Sequence, residues 1–324
     1  MNEFALIEKY FTHRTRHTLL GVGDDAALIR VRQGHTLAIS VDMLVEGRHF
    51  FKGADPETLG HKALAVNLSD LAAMGATPRW ATLALALPSA DTRWVAAFTR
   101  GFMRLARAHG VDLIGGDTTR GPLNLCVQIM GEVPAGKALR RDRARAGDEV
   151  WVSGTLGDAA LAVAARNREV RLAAAPLRAA ARRLDRPLPR VALGTALRGI
   201  AHSAIDISDG LLADLGHICE RSGVCAQVDV DALPVSPIWR SMRAMRLGER
   251  LLLAGGDDYE LCFTAPPSRR GAVLRAGARA GVAVTCVGTI VKRRRAHNGA
   301  PVRVINKAGV VADLGGVTGF DHFG

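Results

Sequence analysis

The sequence predicts an α/β fold, with α+β character, arranged as two domains. Three observations predict it. At 324 residues the chain is too long for one ordinary core. Short apolar runs with strand character alternate with longer, alanine-lined segments of helical character. The composition, 48% apolar and 23% charged, supplies a sizeable core and excludes a disordered chain.

The elements follow in order. Phe4, Ile7, Tyr10 and Phe11 recur at helical spacing and predict a short amphipathic opening helix. HTLAISVDML (35–44) reads as a strand. Asp55-Pro56 caps the next helix, PETLGHKALAVNLSDLAAMG, with Gly75 past its end. WATLALAL (80–87) is a strand, and Asp91 to Gly110 repeats the cap, helix and glycine pattern. VDLIGGDTTRG (111–121) reads as a strand running into a glycine-rich turn, and LNLCVQIMGEV (123–133) as a long strand. A basic connector, PAGKALRRDRARAGD, then leads to a fresh strand, EVWVSG. This places the domain boundary at residue 148, giving domains 1–148 and 149–324. The second domain holds helices within 157–184 and 190–200, the strand HSAIDIS, a helix from about Asp209, and the strand DYELCFTAP. No solenoid-length repeat is present.

The net charge is +12, with arginines concentrated at 137–145, 166–198 and 292–295. Solvated arginine-rich helix faces account for this charge. RNA binding would call for interleaved aromatic residues and a motif, and the sequence offers neither. The five cysteines are odd in number and form no CxxC, which fits buried thiols in a reducing cytoplasm. The opening residues carry no signal peptide, and no apolar run approaches the length of a membrane span.

One pattern recurs. A short apolar strand ends in a Gly- or Ser-flanked aspartate: GVGDD (Asp24, Asp25), AISVD (Asp42), LIGGD (Asp117) and AIDISD (Asp206, Asp209). Asp70 joins them from inside the alanine-lined helix, where an aspartate is unfavourable by propensity. Asn67 precedes it by one turn on the same helix face. Carboxylates gathered at one sheet edge repel each other unless cations sit between them. Hard oxygen ligands without a Cys or His cluster suit Mg²⁺, which usually bridges carboxylates to substrate phosphates. The set therefore points to a phosphate-bearing ligand. GVGDDA matches a dinucleotide fingerprint only formally, because two carboxylates there would repel a pyrophosphate. No GxxxxGK[ST] occurs either, so any nucleotide is held through metals and arginines, with Arg120, Arg140 and Arg141 as candidates.

With these turns assembled, the chain resembles the thiamine-monophosphate kinase family. The matching stretches are GVGDDAAL, TLAISVDMLVEGRHF, KALAVNLSDLAAMGATP, LIGGDTTRGP, SAIDISDGLLADLGHI, GGDDYELCF and GFDHF, in family order across almost the whole chain. The resemblance implies the two-domain, ATP-binding fold shared with aminoimidazole ribonucleotide synthetase and selenophosphate synthetase. It implies that the N-terminal domain, with its mixed sheet, forms a homodimer. The implied reaction is ATP-dependent, Mg²⁺-assisted, in-line phosphorylation of thiamine monophosphate to thiamine diphosphate.

Carried over by position, the metal ligands fall on Asp25, Ser40, Asp42, Asp70, Asp117, Asp206 and Asp209, with Val41 able to offer only its backbone carbonyl. The resemblance implies that Asp42, Asp70, Asp117 and Asp209 carry catalysis. ATP contacts fall on Gly116, Asp117, Arg141, Ser208 and His109, and substrate contacts on His49, Asp257 and Phe320. Asp257 stands where the family commonly has glutamate, Phe320 where it frequently has tyrosine, and His109 where it often has another aromatic ring. Two rival enzymes share the fold. The selenium enzyme is disfavoured by the absence of an early cysteine-bearing segment, and the purine enzyme by the runs NLSDLAAMGA and GFDHF.

Overall fold

The computed structural model describes residues 3–240, 248–293 and 301–306. Its contacts divide the chain into two compact units, residues 1–71 with 76–136, and residues 72–75 with 137–324. The division therefore falls at Gly136, upstream of the expected residue 148. The basic connector explains the offset, since it is pinned within the second unit. Leu139 N–H donates to Met74 O at 3.1 Å and Gly147 N–H to Ile290 O at 2.8 Å. Ala144 N–H donates to Ser222 Oγ at 3.1 Å.

The first unit contains helices α1 (Glu3–Tyr10), α2 (Pro56–Ala73) and α3 (Thr92–His109). Its strands are β1 (Thr18–Leu20), β2 (Leu28–Ile29), β3 (His35–Val45), β4 (Thr77–Leu87), β5 (Asp112–Arg120) and β6 (Asn124–Pro134). Strands β3–β6 form one mixed sheet in the order β3-β6-β4-β5, so β3 and β5 are its edges. Only β4 and β5 run parallel. The predicted caps are in place. Asp91 accepts from the N–H groups of Arg93 and Trp94, and Gly110 closes α3 at φ 65°. Asp55 Oδ1 accepts from Thr58 N–H at 2.8 Å.

The sequence reading ends the strand after residue 111 in a glycine turn. Instead β5 continues through Gly115 and Gly116 to Arg120, held by its parallel pairing to β4. Gly116 permits this at φ 148°, where a Cβ would lie 1.8 Å from Leu83 O.

Small residues also set the approach of α2 to α3. A Cβ on Gly60 would stand 2.0 Å from Phe98 O, and one on Gly101 would stand 1.8 Å from Glu57 O. Rigid backbone on the facing helix leaves no room for even one methyl. Gly60→Ala is therefore expected to destabilise the protein by about 3 kcal/mol, the upper end of overpacking costs. Urea titration checks this, and an unchanged midpoint would contradict so close a packing.

The second unit holds strands β7 (Glu149–Ser153), β8 (Ser203–Asp206), β9 (Val224–Asp229), β10 (Leu261–Ala265), β11 (Val284–Lys292) and β12 (Val302–Ile305). They form one sheet in the order β12-β9-β11-β7-β10-β8. Helices α4 (Asp158–Arg166), α5 (Ala174–Asp185), α6 (Val191–Ala196), α7 (Leu211–Ser222), α8 (Pro237–Arg240), α9 (Gly248–Ala254) and α10 (Arg270–Arg279) accompany it. Val150, Val152, Ile205, Leu215, Ile218 and Val228 are among the fully buried residues of its core. Among the described residues, no helix is long and apolar enough to cross a membrane.

Candidate functional site

In the first unit, alternation along β3 separates two faces. Ile39, Val41 and Met43 point outward, 56%, 57% and 54% exposed, while Leu44 is buried at 4%. Ser40 and Asp42 share the inward face with Leu44, towards α2. There Ser40 Oγ donates to Asp70 Oδ2 at 2.5 Å, so strand and helix place one hydroxyl and one carboxylate side by side. Asn67, one turn before Asp70, is fully buried. Its Nδ2 donates to Ala63 O at 2.9 Å, and its Oδ1 has no hydrogen-bond partner in the structure. Lys62, buried at 3%, lies two turns before Asp70 on the same helix. The sequence reading passes over this cation; a lysine inside an alanine-lined helix is the signal for it.

The doubled acid at the opening turn has a division of labour. Asp24 Oδ1 accepts from Asp25 N–H at 3.0 Å, which fixes the turn through Asp24. Both carboxylates are exposed. His49 Nδ1 accepts from Val45 N–H at 3.0 Å, which puts the proton of the neutral ring on Nε2. His109 is half-buried at the end of α3, and its pKa is lowered, by burial first and by the neighbouring His61 second.

Asp42 and Asp117 are not brought together within the chain. Asp42 pairs with Val127, Val127 with Leu83, and Leu83 with Gly116, which puts three strand spacings between the two edges. At 4.7–4.9 Å per spacing that is roughly 14 Å. Asp117 occupies the next row, beside Ala84 and Cys126. The expectation that these carboxylates face one pocket thus does not hold inside one first unit, because the two strands that carry them are separated by β4 and β6.

The second unit does assemble its predicted residues. Asp206 ends β8 and is 4% exposed. The turn Ile207–Gly210 follows, and its amides are gathered by Asp214 in the first turn of α7. Asp214 Oδ2 accepts from the N–H groups of Ser208, Asp209 and Gly210 at 3.0, 3.1 and 3.1 Å. Burial first, and the Asp209 charge second, push the Asp214 carboxyl up to about 7. The sequence signal for Asp214 is an acid one turn into a helix reaching back to free N–H groups, as in a capping box.

GGDDYE lies against this turn. Asp257 N–H donates to Ser208 O at 2.9 Å and Tyr259 N–H to Ile207 O at 2.8 Å. Asp257 and Tyr259 both adopt left-handed backbone, at φ 69° and 51°. Such strain persists only where surroundings enforce it, and here the backbone bonds to Ser208 and Ile207 hold the segment. Tyr259 OH donates to Asp257 Oδ1 at 3.2 Å. Asp258 accepts from Gly157 N–H through both oxygens at 3.0 Å. Glu260, fully buried, accepts from Ser153 Oγ at 2.6 Å, from Arg183 at 2.6 Å, and from Arg190 at 2.6 and 2.5 Å.

The structure also separates the two connector arginines. Arg140 forms a two-pronged pair with Asp142 at 2.8 and 2.6 Å. Among the described residues, no acid pairs with Arg141. Phe320 lies outside the described residues. Among the described residues, no three His, Cys, Asp or Glu side chains are grouped to hold a metal ion. The donors on offer are hard oxygens, and magnesium commonly takes only one or two carboxylates, completing its shell with water and substrate phosphates.

The comparisons with known proteins agree with this architecture. Residues 23–133 match the AIR synthase related protein N-terminal domain, and residues 145–297 match the corresponding C-terminal domain. The chain is 49% identical over 293 residues to the thiamine-monophosphate kinase of Salmonella typhimurium, covering 88% of this chain and 89% of that one. Among solved structures, the thiamine-monophosphate kinase of Stenotrophomonas maltophilia superposes with a TM-score of 0.86 at 47% identity, covering 96% of this chain and 98% of that one. AaThiL complexed with AMPPCP and TMP superposes with a TM-score of 0.77 at 30% identity, covering 99% and 96%.

Proposed function

The chain belongs to the thiamine-monophosphate kinase family, and from that premise we infer that it phosphorylates thiamine monophosphate with ATP, giving thiamine diphosphate. One observation carries the reading: AaThiL, solved with the nucleotide analogue AMPPCP and TMP, matches 99% of this chain. The acceptor is itself a phosphate, ionised at neutral pH, so the transfer needs no strong general base. Two anions must instead be brought together, a task of positioning and charge neutralisation.

The residues present fit magnesium. The hydroxyl of Ser40 and a carboxylate oxygen of Asp70 already stand adjacent at 2.5 Å, and the other assigned side-chain donors are carboxylates. Asp25, Ser40, Asp42, Asp70 and Asp117 would hold Mg²⁺, with the Val41 carbonyl, and Asp206 and Asp209 are ligands assigned on the same grounds. Bound there, Mg²⁺ supplies the positive charge that offsets the phosphate oxygens. Gly116, Ser208, His109 and Arg141 bind ATP, and Arg141 suits the role because no carboxylate neutralises it among the described residues. His49 presents its Nε2–H to the substrate. Asp257, held by Tyr259, receives the thiamine moiety, with Phe320.

A coupled assay of ADP release tests the reading, with thiamine monophosphate, thiamine and aminoimidazole-pathway substrates in parallel. Release is expected with thiamine monophosphate alone. It should stop in EDTA and return with added magnesium. Release with unphosphorylated thiamine alone would overturn the assignment.

The working form is a homodimer. Two features of the first unit support it. Strand β3 is a sheet edge whose outward face is apolar and exposed at Ile39, Val41 and Met43. Asp42 and Asp117 sit on opposite edges, so a second copy paired along those edges completes the carboxylate set. Ile39→Lys with Met43→Lys is expected to sediment as a monomer and to lose activity; an unaltered dimer would contradict the interface. The five free cysteines support a cytoplasmic location.

A further inference from the structure

A cavity of about 640 Å³ lies wholly in the first unit, away from the carboxylates described above. Its wall includes His13, Arg14, Arg16 and Arg107, with Asp112 and apolar Met103 among the other lining residues. Asp112 stands at the start of β5, five residues before Asp117. At about 3.3 Å per residue the cavity is roughly 16 Å from that assigned ligand. His109 is not part of the wall and lies instead in the field of His61.

The cavity carries a net positive charge, three arginines against one carboxylate. Among the described residues, Arg14, Arg16 and Arg107 form no ion pair. Asp112, the acid in the wall, is buried at 5% and engaged with backbone and hydroxyl donors. Its oxygens accept from Arg16 N–H at 2.9 Å, His17 N–H at 2.6 Å and Thr18 Oγ1 at 2.8 Å. His13 is anchored beside the cavity, its Nε2 3.0 Å from Tyr10 O, and burial lowers its pKa. Arg14, Arg16 and Arg107, all solvent-exposed, border this one space, and arginine forks match the oxygens of more than one phosphate group. The buried side chain of Met103 adds an apolar wall for an organic moiety, and the volume falls in the range of small-molecule sites.

We propose that this cavity is a second binding site that takes an organic diphosphate. ADP and thiamine diphosphate both belong to that class; naming them as natural occupants rests on the kinase reading, whereas the site itself does not.

Calorimetry in EDTA tests the proposal, because without metal the carboxylates repel anions. The probes are inorganic pyrophosphate, ADP and thiamine diphosphate, titrated into the full-length wild type and into Arg14→Gln/Arg107→Gln. One site per chain is expected in the wild type, weakened at least tenfold in the variant, with turnover of the variant kept within twofold. The tightest of the three probes identifies the source. Absence of binding to the wild type, or equal binding by the variant, overturns the proposal. So does binding that Asp117→Asn abolishes, since it then belongs to the nucleotide site. A short RNA duplex that binds tighter than every diphosphate, and is released by salt, also overturns it. If the double variant melts early, Arg14→Gln and Arg107→Gln singly are read in the same way, and thiamine monophosphate turnover, measured separately, keeps a failure here distinct from a failure of the kinase reading.

Discussion

Asp70→Asn is expected to lower kcat by about a thousandfold while leaving the fold intact, a loss of about 4 kcal/mol of transition-state stabilisation. The substitution is isosteric, and Ser40 Oγ, now 2.5 Å from Asp70 Oδ2, can still donate to the new amide oxygen. Asp70 is only half-buried, so the altered group meets no apolar wall. What disappears is the negative charge on which the proposed magnesium ligation at this position depends. The same reasoning applies to Asp42→Asn, whose side chain shares the inward face of β3. Asp24→Asn is the internal control: its Oδ1 serves the Asp25 N–H, an amide oxygen serves equally, and turnover should change by less than about threefold. Steady-state kinetics at saturating magnesium and ATP, with circular dichroism of each variant, separates chemistry from folding. Wild-type turnover by Asp70→Asn under those conditions would remove Asp70 from the mechanism.

Local chemistry made much of this legible in the sequence, and non-local pairing hid the rest. Helix α3 is legible end to end, because Asp91 and Gly110 are caps whose action needs only the adjacent turn. The acidic turns are legible as a recurring strand-to-aspartate pattern. Sheet order is not. Asp42 and Asp117 look alike in sequence, yet β6 and β4 stand between their strands. Strand β5 passes through two glycines that read as a turn, since pairing with β4 outweighs their local preference. Strand β11 contains a glycine and an irregularity between Cys286 and Gly288, which breaks the alternation a strand should show. Strand β12 has only four residues and joins the sheet by a parallel pairing to β9, which no local signal announces. Asp214 and Glu260 are not legible as structural acids for a related reason: an acid partnered by distant amides or arginines carries no mark of its partners in the sequence.

Glu260→Gln is expected to be the most destabilising conservative change in the second unit, at about 3–5 kcal/mol. The Glu260 side chain is fully buried, and those of Arg183 and Arg190 are only 22% and 16% exposed. Its two oxygens take four hydrogen bonds, from Ser153, Arg183 and both prongs of Arg190. The amide keeps the volume, loses the charge, and turns an N–H₂ group towards donors that have nothing to give it. Two guanidiniums are then left largely out of water without a counter-charge, the costly half of breaking a buried pair. Thermal unfolding should show a fall of about 4–7 °C for a chain of this length. Replacing Glu260 and Arg190 together by methionine should recover part of the loss, because it removes one of the two stranded guanidiniums. Through the role proposed for Asp257, the change is also expected to reach the substrate. Glu260 O accepts from Ile207 N–H at 2.8 Å, and Asp257 and Tyr259 hang on the same segment through Ser208 and Ile207. Loosening Glu260 therefore lets the strained Asp257 backbone relax away from its position. In the fraction that remains folded, the KM for thiamine monophosphate should rise about tenfold, with little change in the KM for ATP. A variant as stable as the wild type, or one whose two KM values rise together, would show that Glu260 does not brace this loop.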